Sequence, residues 1–207
     1  MQTVSMDNGT VSTGPMDRRR LVAPVLLAAG AGSRWDGTGH KLEARLGERP
    51  VIEHALRAAV GGGLGRVIVI TGATEVAVPA DLAEHVELVA NPDWADGQST
   101  SLQRAVAVAA KRGSDAVVVG LADQPDIRSS AWRAVAASTS GLAIAVYGDS
   151  RGHPVLIGRE YWEHLPTSGD LGARELLRRF DGDVEAIPCE GSALDVDTTE
   201  DLNQWQS

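Results

Sequence analysis

Short apolar runs that end in glycine or a polar turn, each followed by an amphipathic segment, constrain this chain more than any other feature. Residues 23–29 (APVLLAA), 66–71 (RVIVIT) and 115–121 (DAVVVGL) are apolar almost throughout. A strand needs that pattern when helices cover both of its faces, whereas a strand with one wet face alternates. Residues 86–90 read as another strand, and 142–147, 153–157 and 184–188 as later ones. Helical stretches fall between them: 51–60, entered through Pro50 and stopped by Gly61-Gly62-Gly63, then 81–85, 101–111, 129–138, 171–180 and 198–205. Residues 42–49 leave room for two short strands around Gly47. Strands alternating with helices predict a three-layer α/β fold around a mostly parallel sheet. Ligands of such sheets bind beyond the carboxyl ends of the strands, so the loops 30–41, 91–101 and 122–125 are the informative ones.

The 207 residues suit one domain, read as 20–207 after a loose, flexible N-terminal tail over 1–19. Asp and Glu outnumber Lys and Arg by 28 to 19, a formal net charge of −9, which argues against a broad cationic face for nucleic acid. An anionic ligand therefore needs a local concentration of Arg, Lys, backbone amides or metal. The single cysteine, Cys189, excludes an internal disulfide and a Cys-rich zinc site, and fits a reducing compartment. No apolar run is long enough to span a bilayer. The expectation is a cytoplasmic protein with no membrane partner.

The strand at 23–29 runs into Gly30-Ala31-Gly32-Ser33-Arg34, and Lys41 follows the same loop. Glycines let backbone amides approach an anion closely. Arg34 offers a fork for phosphate oxygens and Lys41 a mobile point charge, a combination that suits a triphosphate. A P-loop requires Gly-Lys-Ser/Thr, which is absent. The dinucleotide fingerprint requires a small residue where Trp35 stands. A glycine-rich turn with surface charges is the plain alternative.

The loop beginning Asn91-Pro92-Asp93-Trp94 and ending Gly97-Gln98-Ser99-Thr100-Ser101-Leu102 offers short amide and hydroxyl groups at a helix start. These suit the edge of a nucleobase, and Ser99, Thr100 or Ser101 equally suits a helix cap. Trp94 suits either core or a pocket wall. Asp123, in Leu-Ala-Asp-Gln-Pro after the strand 115–121, is placed to hold Mg²⁺ with hard oxygen ligands, or to serve as a turn or cap residue. A second carboxylate is available in Asp195-Val196-Asp197-Thr198, where Asp197 also suits as cap of the last helix.

Leu-Ala-Ala-Gly-Ala-Gly-Ser-Arg at 27–34, followed by a lysine, resembles the signature of the MobA-like nucleotidyltransferases, Rossmann-like relatives of the GT-A glycosyltransferases. Its Ala-Ala-Gly is similar to the branch of molybdenum cofactor cytidylyltransferases; the guanylyltransferase branch more often reads Ala-Gly-Gly. Trp35-Asp36 stand where the family usually has Met-Gly, and His40 where Asp, Asn or Pro often precedes the lysine. The resemblance continues through the 97–102 loop, Leu-Ala-Asp-Gln-Pro, Arg151-Gly152-His153-Pro154, Gly169-Asp170-Leu171-Gly172-Ala173-Arg174 and Asp195 to Asp197. It implies that Ala28, Ala29, Gly30, Gly32, Gly97, Gln98, Ser99 and Ser101 surround the nucleotide. It also implies that Arg34, Lys41 and Asp123 are catalytic, that Asp123 and Asp197 hold Mg²⁺, and that His153, Asp170 and Arg174 face the acceptor. The residues alone equally allow a capping Asp170, a structural His153 and an Arg174–carboxylate pair.

The implied activity moves CMP from CTP to a phosphorylated acceptor, molybdopterin carrying molybdenum, and releases pyrophosphate. A molybdenum hydroxylase would then receive the product. A guanylyltransferase, a sugar- or isoprenoid-phosphate nucleotidyltransferase, and a non-catalytic nucleotide- or cofactor-binding protein are the alternatives.

Overall fold

The structure is a computed structural model that describes residues 20–206; the expected tail over 1–19 lies outside the described residues. Seven strands form the main sheet. They are β1 (Val22–Ala28), β4 (Val67–Thr71), β5 (Val86–Ala90), β6 (Ala116–Leu121), β7 (Leu142–Tyr147), β8 (Ser150–Gly158) and β9 (Val184–Pro188), ordered β5-β4-β1-β6-β8-β7-β9. The four strands β5, β4, β1 and β6 are mutually parallel, as their continuous apolar sequence requires. A hairpin of β2 (Arg45–Leu46) and β3 (Arg49–Pro50) turns at Gly47. Pro50 therefore ends a strand and caps the helix that follows instead of opening it.

The strand expected at 153–157 is longer and runs antiparallel to both neighbours, β6 and β7. The cause is local: Gly148-Asp149 joins β7 to β8 as a tight hairpin, with Gly148 at φ 60°. Parallel pairing resumes at the edge between β7 and β9.

Helices cover both faces. Helices α1 (Val51–Gly61) and α3 (Ser129–Ala136) cover one, and α2 (Gln98–Lys111) and α4 (Ala173–Arg179) the other; α5 (Thr199–Gln206) closes the described chain. The core accordingly divides by the two-residue period of the strands. Leu26, Ala28, Val67, Val69 and Val118 face α1 and α3, whereas Val25, Leu27, Ile68, Ile70 and Val119 face α2 and α4. Gly120 in β6 admits the fully buried Trp132 ring, because a Cβ there would lie 2.5 Å from it. The stretch 81–85 forms part of a 3₁₀ turn, Ala80–His85. Helix α2 starts three residues before the expected 101, and α4 two residues after the expected 171.

Chain order explains where a ligand would sit. From β1 the chain builds outward through β4 and β5, then returns to place β6 on the other side of β1. The loops leaving β1 and β6 therefore diverge and leave a crevice between them.

Candidate active site

A cleft of about 350 Å³ lies at that reversal. Leu27, Ala28, Ala29, Leu121 and Ala122 line it from the strand ends. Gly30, Gly32, Ser33, Lys41 and Asp123 come from the loops that follow, and Trp94, Gly97, Gln98, Ser101 and Asp170 from two more distant segments. Three loops chosen for following strands thus share one cavity.

Lys41 organises the charged part. It is 9% exposed, and its Nζ donates to Asp123 Oδ2 at 2.6 Å and to Asp197 Oδ1 at 2.8 Å. Burial alone would lower its pKa; the two carboxylates outweigh that and hold it above the ordinary lysine value. Arg34 reaches the other oxygen of Asp197, Oδ2, at 2.9 Å. Its side chain is 74% exposed and lies outside the cleft lining, so Arg34 stands on the rim rather than in the cradle.

Gly32, Asp36 and His40 close the loop 30–41. Gly32 adopts φ 63°, and a Cβ there would come within 3.3 Å of both His40 and Lys41. His40 Nε2 lies 3.0 Å from Gly30 O, and His40 Nδ1 accepts from Leu42 N–H at 3.3 Å. Asp36 Oδ1 accepts from Thr199 N–H at 3.0 Å, which ties the loop to the start of α5 and lowers the Asp36 pKa. The two places where the sequence departs from the family signature, Asp36 and His40, therefore both fix the loop.

Asp197 does not cap α5. Thr198 Oγ1 accepts from Asp201 N–H at 3.2 Å, and Asp201 accepts in return from Thr198 N–H at 2.8 Å, a reciprocal capping box. The Asp197 carboxylate is thereby left for Lys41 and Arg34. Gln124 holds the same segment from the other side, donating to Ala193 O at 2.9 Å and Asp195 Oδ1 at 2.7 Å, while Val196 N–H donates to Asp123 O at 2.9 Å.

The donor set fits a divalent cation. Asp123 and Asp197 already converge on one cationic nitrogen, and Asp123 Oδ1 is buried without a hydrogen-bond partner among the described residues. Among those residues no three His, Cys, Asp or Glu side chains cluster as a protein-only cage. Two carboxylates completed by ligand phosphates form the common magnesium shell.

Asn91, which is buried, builds the third loop. Its Nδ2 donates to Thr100 Oγ1 at 2.9 Å and Ser101 Oγ at 3.0 Å, and its Oδ1 accepts from Asp93 N–H at 3.1 Å. Trp94 both lines the cleft and packs against the core, resting on Gly72. None of Ser99, Thr100 or Ser101 caps α2, because Gly97 at φ 106° is the N-cap. Ser99 is fully buried and does not line the cleft. Its N–H instead donates to Gly169 O at 3.0 Å.

Asp170 neither caps α4, whose N-cap is Gly172, nor joins His153 and Arg174; it lines the first cleft beside Gln98. His153 and Arg174 line a second cleft of about 400 Å³ with Gln124, Ile144, Arg178 and Asp195. Leu121 borders both clefts, and the Asp123-Gln124 turn contributes one residue to each. Among the described residues Arg174 has no carboxylate within 4.0 Å, so it faces this cleft unpaired. Burial pushes His153 down to about 4, with Asp123 opposing and Arg174 reinforcing the shift. His153 is therefore neutral near pH 7, and Arg174 and Arg178 supply the positive charge.

Comparison with known proteins shows the family. Residues 24–184 match the MobA-like NTP transferase domain. The chain is 34% identical over 195 residues to the nicotine blue oxidoreductase of Paenarthrobacter nicotinovorans, spanning 87% of this chain and 94% of that protein. It is also 34% identical over 186 residues to the bifunctional protein GlmU of Agrobacterium fabrum, spanning 87% of this chain but 39% of that longer protein. The crystal structure of Rv0371c from Mycobacterium tuberculosis superposes with a TM-score of 0.76 at 24% identity, over 90% of this chain and 98% of that one. The chain belongs to the MobA-like NTP transferase family of nucleotidyltransferases.

Proposed function

We propose that the protein transfers CMP from CTP to a phosphorylated acceptor, molybdopterin carrying molybdenum, with release of pyrophosphate, and that a molybdenum hydroxylase is the recipient of the product. The observation that carries the transferase reading is the meeting of Lys41, Asp123 and Asp197 beside the glycine loop. The choice of CTP and molybdopterin rests on the Ala-Ala-Gly signature and the acceptor-side motifs.

In this reaction an acceptor phosphate oxygen attacks the α-phosphorus of the nucleotide. The new P–O bond forms as the bond to the bridging oxygen of the β-phosphate breaks, and pyrophosphate leaves with that electron pair. The attacking phosphate is already ionised, so the protein supplies no nucleophile and no general base. Its work is positioning and charge stabilisation. The Gly30 to Ser33 amides and Lys41 face the phosphates, Trp94 and Gln98 face the base, and Arg174 and Arg178 hold the acceptor in the second cleft. Asp123 and Asp197 would hold Mg²⁺, which supplies charge neutralisation on the phosphates when bound. Incubation with each NTP, Mg²⁺ and molybdenum-loaded molybdopterin tests the proposal. Pyrophosphate release with CTP supports it; release with GTP alone would reassign the nucleotide.

A second reading follows from the near full-length match to a protein named as an oxidoreductase. The chain would then carry out a redox reaction instead of nucleotide transfer, with the same cleft holding the redox substrate. Bleaching of nicotine blue by the protein in the presence of an added reductant, without pyrophosphate release, would favour it.

A further inference from the structure

We propose that Asp170 selects the nucleobase, its carboxylate accepting a hydrogen bond from the exocyclic amino group of a cytosine or guanine ring and disfavouring uracil. The proposal rests on a nucleotide occupying the first cleft.

Two groups of segments line that cleft. Lys41 and Asp123 belong to the loops after β1 and β6 and carry the charges suited to phosphates. Trp94, Gln98, Ser101 and Asp170 form the other group, which offers an aromatic face and polar edges. Aromatic faces stack on bases without choosing among them, so the choice falls to the polar edges.

Those edges are unequal. The Ser101 hydroxyl accepts from Asn91 Nδ2 and keeps its own O–H as a donor. Gln98 offers both a donor and an acceptor and so accommodates either kind of base edge. Asp170 is acceptor-only, and its carboxylate has no hydrogen-bond or ion-pair partner among the described residues. An ionised carboxylate adds nothing to the binding of a triphosphate. What it recognises is a donor, and cytosine presents one at its exocyclic amino group where uracil presents a carbonyl oxygen. Guanine likewise carries an amino group that hypoxanthine lacks.

The backbone beside Asp170 is held in place. Gly169 N–H donates to Asp96 O at 2.8 Å, and Gly169 O accepts from Ser99 N–H at 3.0 Å. Gly97 packs so closely on Gly169 that a Cβ would stand 2.4 Å from its carbonyl carbon, and a Cβ on Gly172 would stand 2.5 Å from Gln98 Oε1. The segment that carries Asp170 is thus clamped onto the start of α2, which keeps its exposed carboxylate at the cleft and within reach of a bound base.

Calorimetric titration of the 207-residue chain with CTP, UTP, GTP and ITP in Mg²⁺ tests this, using wild type, Asp170→Asn and Asp170→Ala. The expected result is a wild-type preference of at least about tenfold for CTP over UTP, or for GTP over ITP. Both variants should bring that ratio to within about threefold while still binding the nucleotides. Wild type binding both members of each pair equally, or variants that keep the wild-type ratio, would overturn the role of Asp170 and leave the transferase reading standing. No binding of any nucleotide by wild type would overturn both.

Discussion

Lys41 occupies the point where Asp123 and Asp197 converge, 2.6 Å from one carboxylate and 2.8 Å from the other. It is the buried cation shared by the two neighbouring carboxylates when no metal is present. Lys41→Met should therefore cost about 3 kcal/mol of stability, because it leaves Asp123 without a cation and Asp197 with only the exposed Arg34. Mn²⁺ should return part of that loss. Thermal melts with and without MnCl₂ check this: the metal should raise the midpoint of the variant more than that of wild type.

Asp123→Asn should lower turnover by at least about 100-fold, the scale expected when a group that organises transition-state charge is removed. The fold should persist, since Lys41 retains Asp197 as partner. Steady-state pyrophosphate release, set beside a far-ultraviolet circular dichroism spectrum, separates the two effects.

Gly97 takes φ 106° and abuts Gly169 backbone atoms that have no room to yield. Gly97→Ala should destabilise by about 2 kcal/mol or more and weaken nucleotide binding with it. Urea denaturation and a nucleotide titration on the same preparation should show both losses together. A stable variant with weakened binding would instead place the residue in contact with ligand alone.

The fold was legible where sequence and packing carry the same information. Strands β1, β4 and β6 are apolar because both of their faces are buried, and that follows from composition along a short window. Two of the three informative loops follow β1 and β6, and the third follows β5. The placement of Asp170 in the first cleft was not legible, because it depends on Gly97 meeting Gly169, a contact between residues 72 positions apart. The role of Asp197 was legible in part: Thr198-Thr199-Glu200-Asp201 has the spacing of a capping box, which assigns the cap to Thr198. Gly148-Asp149 likewise signals a hairpin, and with it the antiparallel course of β8.

His153 is held neutral by burial, with a pKa of about 4 against an ordinary value of 6.5. Between those values the unfolded chain binds the extra proton, so His153 takes stability away as pH falls from about 6.5 to about 4. Asp123 and Arg174 are the charged groups that act on it. Its loss over that window should approach about 3 kcal/mol, reduced by whatever solvent reaches the ring. Urea midpoints at successive pH values should fall through this range for wild type and fall less for His153→Gln.

The most direct measurement is a crystal structure of the protein soaked with a non-hydrolysable CTP analogue and MnCl₂. Anomalous scattering should place manganese between the carboxylates of Asp123 and Asp197, with the Lys41 ammonium moved onto the phosphates and the base between Trp94 and Asp170. Manganese bound elsewhere, or a nucleotide lying outside the cleft with Lys41 still bridging the two carboxylates, would contradict the account.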